Sequence, residues 1–393
     1  MKLLVISACF PPAWAWGGPV RSIWNVCRGL QLAGARVRVV TTDADLHGAL
    51  DVEPHREEHG IVVSTCRVAR WGGNVSARFG FAPRLGRVLH REIPAADLCV
   101  IQGPWTYPLA LGARGCRREH LPYVICPRGA LERISLAEKS AKKRLYMRWV
   151  ERHAIDGAAA IQFASHMEQQ SSLPAIGGRP SFVCENAVEA AAMIEPDPAR
   201  LRDELGIAAD HELIGLSGRV HPRKGFEAIV PALARCRRPV HLISFGADEG
   251  GHRARIEALA RAEGVSERLH FLGALQGEAL QRVYASVALL VMPSIGESFG
   301  NAALEALAQG TEAVVSDRVP VGRYIAARGF GAIISGLAAD RWAAEIDSRL
   351  AAGPSADRAR IAAQVRVDYD VKGKGEELLG RYAELIARRG ERS

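Results

Sequence analysis

Short apolar runs alternate with longer amphipathic stretches along most of the chain. The runs at Lys2–Phe10, Leu98–Gln102 and Leu289–Met292 are mostly apolar, rather than apolar at every second position. Parallel strands that helices cover on both faces need such runs. The pattern therefore predicts parallel sheets with helices on both sides, an α/β architecture. The other main strands that it predicts are Val37–Thr41, Tyr123–Cys126, Ala159–Phe163, Leu213–Ser217, His241–Phe245, Leu269–Leu272, Ala313–Ser316 and Ala332–Ser335.

A stretch richer in proline and glycine, Pro174–Pro198, interrupts this alternation. It holds one short predicted strand, Phe182–Glu185, and the alternation of strands and helices resumes after it. The chain has 393 residues, which at roughly 100 to 200 residues per domain is enough for two domains. We expect two doubly wound, Rossmann-like domains facing each other across a cleft, with ligands at the carboxyl ends of the strands.

Composition narrows the class of protein. Hydrophobic residues make up 48% of the chain and charged residues 24%, which excludes a mainly disordered chain, a collagen and a coiled-coil rod. The formal net charge of +8 is too small to establish nucleic-acid binding, and no nucleic-acid partner is expected. The eight cysteines form no CxxC pair, which favours buried free thiols in a reducing compartment, so a cytoplasmic location is expected. The apolar start at Lys2 is interpreted as a buried strand rather than a signal peptide, and no apolar run is long enough to span a membrane.

The segment SIGESFGNAALEALAQG contains two glutamates, Glu297 and Glu305, eight residues apart. A helix predicted to start near Gly300 places Glu297 at its mouth and Glu305 about 8 Å further along the axis. The amides of Phe299, Gly300 and Asn301 would point out of the helix and could bind a diphosphate. Two carboxylates beside an anion site make chemical sense if they accept hydroxyl donors, such as those of sugars and ribose. An acidic helix start with a solvated glutamate is the open alternative.

Two glycine-containing loops follow predicted strands. GRVHPRKG, residues Gly218–Gly225, carries Arg219 and Lys224, which could neutralise a pyrophosphate leaving group or form a solvated basic loop. FPPAWAWGGPVR carries Gly17 and Gly18 before a helix, where a ligand can approach the backbone closely. There is no GxGxxG dinucleotide fingerprint in that loop.

Together these motifs resemble those of family 4 glycosyltransferases of the GT-B fold. The resemblance rests on the Gly-Gly loop, the GRxxxxKG segment and ESFGxxxxEAxAxG, in which Glu297 and Glu305 match the family's E-x7-E motif. It covers nearly the whole chain. The segments PRGAL (Pro127–Leu131) and GADEGG (Gly246–Gly251) resemble enzymes that build bacterial capsule or exopolysaccharide units.

The resemblance implies a role for each matching residue. Arg219 and Lys224 match the pair that grips the donor diphosphate, Glu305 the glutamate that binds the donor ribose, and Glu297 the glutamate that contacts the transferred sugar. Further donor-binding positions implied in this way are Gly17, Gly18, Gly218, Ser298, Phe299, Gly300 and Asn301. Such enzymes retain the anomeric configuration and need neither a metal nor another cofactor.

The resemblance also implies a division of labour along the chain. Residues 1–185 would form the acceptor-binding domain, residues 186–368 the nucleotide-sugar domain, and residues 369–393 a helix that crosses back to the first domain.

Three departures from the family pattern stand out. Many relatives carry a histidine after the strand that here is Tyr123–Cys126, but this chain has Pro127-Arg128-Gly129. Arg128 is a candidate for contacting the donor or the acceptor, and a purely structural turn is equally open. The usual Asn-Gly turn at the linker is Asn186-Ala187, and Thr311 stands where proline usually follows Gly310.

A basic helix is predicted over Arg133–Arg152. After Arg133 it carries six further cations among apolar residues: Lys139, Lys142, Lys143, Arg144, Arg148 and Arg152. It is either a peripheral membrane or lipid-diphosphate contact, which would place the protein at the inner face of the cell membrane, or a solvated helix face. His55–His59 fits the H-x-x-E-H zinc pattern but lies between Pro54 and Gly60, too short for a helix, and no metal site is expected.

The sequence therefore predicts a retaining hexosyltransferase. It would move a hexose from a nucleotide-diphosphate sugar to a hydroxyl of a glycan acceptor, polyprenyl-diphosphate-linked, in bacterial surface polysaccharide synthesis. Three alternatives stay open: a natural-product glycosyltransferase with a soluble acceptor, a nucleotide-sugar 2-epimerase on the same fold, and a non-enzymatic nucleotide-sugar sensor.

Overall fold

The structure of the protein is a computed structural model. It describes the whole chain except residues 47, 70–78, 138–144, 190–191, 354–356 and 391–393, and the side chains of residues 389–390. The chain divides into two compact units. The first comprises residues 1–187 together with 371–393, and the second comprises residues 188–370.

The first unit is built on an eight-stranded sheet. Its strand order is β10-β9-β8-β7-β1-β2-β6-β5, and every pairing except that of β5 with β6 is parallel. The sheet strands are β1 (Lys2–Ile6), β2 (Arg36–Thr42), β5 (His55–Glu58), β6 (Ile61–Cys66), β7 (Leu98–Gln102), β8 (Tyr123–Cys126), β9 (Ala160–Phe163) and β10 (Ser181–Val183), and a separate antiparallel pair is β3 (Ala44–Asp45) and β4 (Gly48–Ala49).

The antiparallel edge departs from the prediction of wholly parallel sheets. β5 and β6 are joined by a tight turn in which His59 and Gly60 both have positive φ, 51° and 78°. A connection this short can only join antiparallel strands, whereas a parallel pair needs a crossover of a dozen or more residues. The H-x-x-E-H segment therefore forms a strand and a turn.

Helices cover the first sheet. They are α1 (Gly18–Leu32), α2 (Leu85–Glu92), α3 (Tyr107–Arg118), α4 (Arg133–Ala137), a π-helical turn at Met147–Glu151, α5 (Arg152–Gly157) and α6 (His166–Ile176). The basic helix predicted over Arg133–Arg152 lies partly outside the described residues, and the structure is helical on both sides of them, in α4 and in the π-helical turn that leads into α5. Lys139, Lys142, Lys143 and Arg144 lie outside the described residues. The predicted first strand is too long, because β1 ends at Ile6, where the Ser7 hydroxyl donates to the Cys9 carbonyl within a turn.

The second unit contains a six-stranded, wholly parallel sheet of order β13-β12-β11-β14-β15-β16. The strands are β11 (Glu212–Ser217), β12 (Val240–Phe245), β13 (Leu269–Phe271), β14 (Leu289–Met292), β15 (Ala313–Ser316) and β16 (Gly331–Ile334). The helices are α7 (Pro198–Leu205), α8 (Phe226–Arg235), α9 (His252–Ala262), α10 (Gly277–Ser286), α11 (Asn301–Ala308), α12 (Gly322–Arg328), α13 (Ala339–Ala352) and α14 (Arg358–Asp368).

Apolar burial explains why these runs are strands. Every residue of β12, β14 and β15 is buried, as a strand covered on both faces requires. Two parallel-sheet domains were predicted, and this part of the fold is confirmed.

The last helix, α15 (Val371–Gly390), belongs to the first unit and packs on α1. Gly29 and Gly375 make this contact close, because a Cβ on Gly375 would lie 2.0 Å from the Gly29 carbonyl oxygen. The fully buried Tyr382 hydroxyl donates to Gln162 Oε1 at 2.6 Å, which ties α15 to β9. In the part of the chain that the structure describes, no helix is both long and apolar enough to cross a membrane.

Candidate functional site

Three loops meet at the carboxyl edge of the second sheet. They follow β11, β14 and β15, which are neighbouring strands. The Ile295 amide donates to the Arg223 carbonyl at 3.0 Å, and the Glu297 amide donates to the Arg318 carbonyl at 3.3 Å. These bonds hold the GRVHPRKG loop, the SIGESFG loop and the start of the loop after β15 together, so the predicted donor motifs form one cluster.

An ion pair lies at the centre of this cluster. Lys224 Nζ is 2.7 Å from Glu297 Oε1, and the two side chains are 20% and 19% exposed. Gly218 makes room for the lysine, because a Cβ there would lie 2.7 Å from Lys224 Cε. The φ of Gly218, +129°, also favours glycine. The glycine directly after β11 therefore leaves the space that the lysine of this pair occupies.

The surroundings of Glu297 favour its ionised form. Burial by itself would raise the pKa of this carboxyl, but the Lys224 ammonium and hydrogen bonds from Lys224 and Ser294 outweigh burial and hold its pKa below the usual value. The Ser294 hydroxyl donates to Oε1 at 2.9 Å. Glu297 is thus a fixed anion and hydrogen-bond acceptor at neutral pH.

Arg219 is paired with a glutamate that the sequence analysis did not single out. Arg219 Nη1 lies 2.6 Å from Glu249 Oε2, in the GADEGG loop that follows β12. Backbone bonds join the two loops: the Val220 amide donates to the Ala247 carbonyl at 2.9 Å, and the Glu249 amide to the Val220 carbonyl at 3.2 Å. β11 and β12 are neighbours in the sheet, so the loops that follow them lie side by side. An acidic residue just after β12 was therefore the sequence signal that could have identified the partner of Arg219.

Glu305 is oriented by a buried hydroxyl. The Tyr284 hydroxyl donates to Glu305 Oε2 at 2.9 Å and lies 2.7 Å from the Ser217 hydroxyl at the end of β11. Tyr284 is fully buried on α10, so the periodicity of its helix marks it only as a core residue. Neither Tyr284 nor Ser217 was predicted from the sequence.

The mouth of α11 is shaped by Gly300. This residue has φ +113°, and a Cβ on it would lie 2.6 Å from Val319 Cγ1. The Phe299 ring is buried and packs edge-on against Tyr369, with ring centroids 5.9 Å apart, so Phe299 can offer a ligand only its backbone. Ser298 and Asn301 are half-buried at the same mouth.

The remaining predicted residues belong to the first unit. Gly17, with φ +70°, ends a short 3-10 turn at Trp14–Trp16, and Gly18 starts α1. Arg128 follows β8 at the carboxyl edge of the first sheet. The structure thus brings Gly218, Arg219, Lys224, Glu297, Ser298, Phe299, Gly300, Asn301 and Glu305 to one edge of the second unit. Among the described residues, no group of three or more His, Cys, Asp or Glu side chains could hold a metal ion.

Two family models match the chain, one in each unit. "Glycosyl transferase 4-like domain" matches residues 17–183, and "Glycosyl transferases group 1" matches residues 197–366, so that together they take in most of the chain. The chain belongs to the family 4 glycosyltransferases. A relative of this glycosyltransferase, the D-inositol 3-phosphate glycosyltransferase of Mycobacterium sp. (strain JLS), is 29% identical over 264 residues. That match covers 66% of this chain and 60% of the mycobacterial protein.

Solved structures show the same fold. Sucrose-phosphate synthase from Thermosynechococcus elongatus superposes with a TM-score of 0.76 at 18% identity, covering 99% of this chain and 100% of that one. Anabaena Alr3699/HepE, in complex with UDP and glucose, superposes with a TM-score of 0.74 at 20% identity, covering 98% of this chain and 100% of that one. Together with the two parallel sheets, this likeness shows the predicted GT-B fold.

Proposed function

We propose that this glycosyltransferase moves a hexose from a nucleotide-diphosphate sugar to a hydroxyl of a glycan acceptor, with retention of configuration. The observation that carries the proposal is the Lys224–Glu297 ion pair, 2.7 Å long, at the carboxyl edge of the second sheet. It places a cation for the diphosphate beside an anion for sugar hydroxyls.

The cations match a diphosphate leaving group. Arg219 and Lys224 lie in one loop, and both are partly exposed, at 33% and 20%. When the bond from the sugar to the phosphate breaks, negative charge develops on the phosphate oxygen, and fixed cations stabilise it. We propose that these two side chains supply this charge without a metal ion or other cofactor.

The carboxylates match the hydroxyl groups of the donor. Glu297 is held ionised by Lys224 and Ser294, so it accepts hydrogen bonds from the hydroxyls of the transferred hexose. Glu305, oriented by the Tyr284 hydroxyl, accepts from the ribose hydroxyls of the nucleotide. The amides of Phe299 and Gly300 at the mouth of α11 face the phosphates.

The transfer balances without a protein nucleophile. The bond between the anomeric carbon and the leaving phosphate oxygen breaks, and a bond from the same carbon to the acceptor oxygen forms on the same face of the ring. The proton of the acceptor hydroxyl passes to the departing phosphate oxygen. Gly17 and Gly18 are proposed as donor-binding residues on the family resemblance of their loop.

We further propose a lipid-linked acceptor at a membrane surface, in bacterial surface polysaccharide synthesis. The likeness of PRGAL and GADEGG to capsule and exopolysaccharide enzymes supports this acceptor class. Leu145 and Trp149 are 63% and 64% exposed one helical turn apart, and the Arg148 guanidinium lies 5.8 Å from the Trp149 ring. Exposed apolar and aromatic side chains beside cations are typical of interfacial membrane contacts.

The membrane contact is tested by flotation with vesicles. The intact protein is expected to float with vesicles that contain anionic lipid, and the double variant Leu145→Glu, Trp149→Glu to remain in the soluble fraction. Val367→Glu, at a 73% exposed apolar position in the second unit, is the matched control. Equal flotation of all three proteins would contradict the contact.

The donor site is tested by thermal shift with UDP, GDP, ADP and their common sugar conjugates. UDP and UDP-glucose come first, because the Anabaena structure holds UDP and glucose. A nucleotide that binds the folded state raises Tm, and Lys224→Ala is expected to abolish the rise. Lys372→Ala, at an exposed lysine of α15, is the control. Absence of a shift with any nucleotide would overturn the proposal, and turnover of the donor without acceptor to a changed nucleotide sugar would indicate a 2-epimerase.

A further inference from the structure

Arg128 has an unusual backbone conformation at the carboxyl edge of the first sheet. Its φ is +53°, a left-handed value that is uncommon for residues other than glycine. The turn is held by a buried carboxylate, because Glu168 accepts hydrogen bonds from the amides of Gly129 and Ala164. The Ser135 hydroxyl also donates to the Gly129 carbonyl at 2.7 Å. The surrounding structure therefore maintains a conformation that the isolated segment would disfavour, as is common at binding sites.

The guanidinium of Arg128 is fixed by two neutral groups. Nε donates to Gln102 Oε1 at 3.1 Å, and Nη1 donates to Asn186 Oδ1 at 2.8 Å. Gln102 and Asn186 are 2% and 4% exposed, so both acceptors are buried and rigid. In the described part of the chain, no carboxylate forms an ion pair with Arg128, and both oxygens of Glu168 already accept from backbone amides.

The third nitrogen of the guanidinium is buried without an acceptor. Nη2 carries two N–H groups and has no hydrogen-bond partner within the described residues. A buried cation whose donors are left unsatisfied costs free energy, so an arrangement that keeps one calls for a ligand.

An oxyanion is the ligand that fits these donors. The planar guanidinium binds phosphate and carboxylate through two parallel N–H···O bonds, and an anion would also neutralise the charge that Gln102 and Asn186 leave in place. An imidazole at this place would offer no such fork.

We propose that Arg128 binds an oxyanion, a phosphate or a carboxylate, that the acceptor carries near its reacting hydroxyl. Arg128 then selects for an anionic acceptor, and Gln102 and Asn186 are the positioning residues that hold the guanidinium. The assignment to the acceptor rests on the proposed transferase function, whereas anion binding by Arg128 is independent of it.

The test is a titration with inorganic phosphate, followed by thermal shift at constant ionic strength. It uses the full chain with Lys224→Ala, which removes the proposed diphosphate site of the second unit. Phosphate also stabilises proteins without specific binding, so only differences between variants count. Arg128→Gln is expected to weaken phosphate binding by about tenfold or more, while Arg118→Gln, at an exposed arginine of α3, leaves it unchanged. Equal phosphate-dependent shifts in these variants would overturn the proposal.

A second variant guards against loss of folding. Arg128→His places an imidazole without the guanidinium fork at this position, and it is expected to lose phosphate binding as Arg128→Gln does. If Arg128→Gln does not fold, the histidine variant decides by the same criterion.

A further experiment distinguishes an anion on the acceptor from an anion on the donor. It also distinguishes failure of the Arg128 proposal from failure of the donor-site proposal. With Lys224 intact, Arg128→Gln is expected to bind the donor nucleotide as tightly as the unmodified protein. A loss of nucleotide affinity equal to the loss of phosphate affinity would assign the anion to the donor and overturn the proposal. If no nucleotide binds the unmodified protein but the phosphate difference persists, the donor-site proposal fails and the Arg128 site stands.

Discussion

The carboxyl edges of the two sheets treat charge in opposite ways. In the second unit two cations of the GRVHPRKG loop have a carboxylate partner, Lys224 with Glu297 and Arg219 with Glu249. In the first unit Arg128 is held by two neutral amide oxygens. The buried carboxylate of Glu151 there accepts one backbone bond, from the Trp105 amide, and its second oxygen has no partner among the described residues.

The contrast shows what each edge is built to do. Paired, partly exposed charges are stable without a ligand and can exchange one partner for a phosphate or a hydroxyl at low cost. Nη2 of Arg128 is buried without an acceptor among the described residues, which costs free energy, so a ligand that accepts its hydrogen bonds gains more. Under the proposed function, the second unit suits a donor that binds and leaves in each turnover, and under the proposal for Arg128 the first suits selection of one kind of acceptor.

The largest expected effect is on Glu297. Glu297→Ala removes the anion that accepts the sugar hydroxyls, and we expect transfer to fall by at least about 100-fold in a folded protein. Single-turnover transfer from the nucleotide sugar measures this, with circular dichroism to check the fold. The control is Glu312→Ala. Glu312 pairs with Arg349, and both residues line a separate pocket that contains none of the proposed donor-binding residues. Near-normal turnover in Glu297→Ala would show that Glu297 does not take part in the transfer.

The next effect concerns Glu151 and pH. Burial raises the pKa of this carboxyl to about 7, against about 4.3 for an unfolded glutamate. Between pH 4.3 and pH 7 the Glu151 carboxyl holds a proton in the folded state that it has lost in the unfolded state. The contribution of this carboxyl to the free energy of unfolding is therefore fully present below about pH 4.3 and is lost as pH rises through 7. The change is on the order of 2–4 kcal/mol in the free energy of unfolding.

Glu151→Gln is expected to remove this decline, because an amide oxygen still accepts from Trp105 but cannot ionise. Urea unfolding at pH 5, 6, 7 and 8 measures the difference, and Glu119→Gln, at an exposed glutamate of the same unit, serves as reference. Parallel pH profiles of the Glu151 variant and the unmodified protein would disprove the assignment.

A smaller effect is expected from Tyr284. Tyr284→Phe deletes the hydroxyl that orients Glu305. We expect nucleotide affinity to fall by about tenfold, because the Glu305 carboxylate is then no longer held in place to accept hydrogen bonds from the ribose. Isothermal titration with the nucleotide measures this. Tyr324→Phe deletes a hydroxyl bonded to Asp368 in the same unit and should leave the affinity unchanged. Equal nucleotide affinities in the two variants would show that Glu305 does not bind the ribose of the nucleotide.

The smallest effect is expected from Glu249. Glu249→Gln releases Arg219 from its ion pair, so affinity for the nucleotide diphosphate should rise about two- to threefold at low salt. The gain should shrink as salt screens the charges. Glu257→Gln, which breaks an exposed pair with Arg253, is the reference. Weaker binding would mean that Glu249 positions Arg219 rather than competing for it.

The accuracy of the sequence analysis varied between features for physical reasons. β7, β8, β14 and β15 have the predicted bounds, because a strand buried on both faces is apolar along its length. The antiparallel β5 was missed because its sequence, His-Arg-Glu-Glu, is polar at a sheet edge. Apolar spacing predicted a helix over Arg133–Arg152, but it does not distinguish the π-helical turn at Met147–Glu151 from the α-helix that follows it.

The candidate site divides in the same manner. Residues in local motifs could be singled out from the sequence, since Gly218, Lys224, Glu297 and Gly300 lie in short loops after strands. Residues that act from a neighbouring element were missed, as Tyr284 was, since α10 reaches the site only through its packing beside β11 and α11.

The sequence by itself determined the α/β class, the two parallel-sheet units and the positions of the glycines and charges in each loop. These follow from local pattern, since burial on both faces demands apolar strands and tight loops demand glycine. Only the tertiary structure decided which charges pair. Arg219 meets Glu249, and Lys224 meets Glu297, because β12 and β14 flank β11. The order of strands in a sheet depends on packing between distant segments, and hydrogen-bond distances are set only once that order exists.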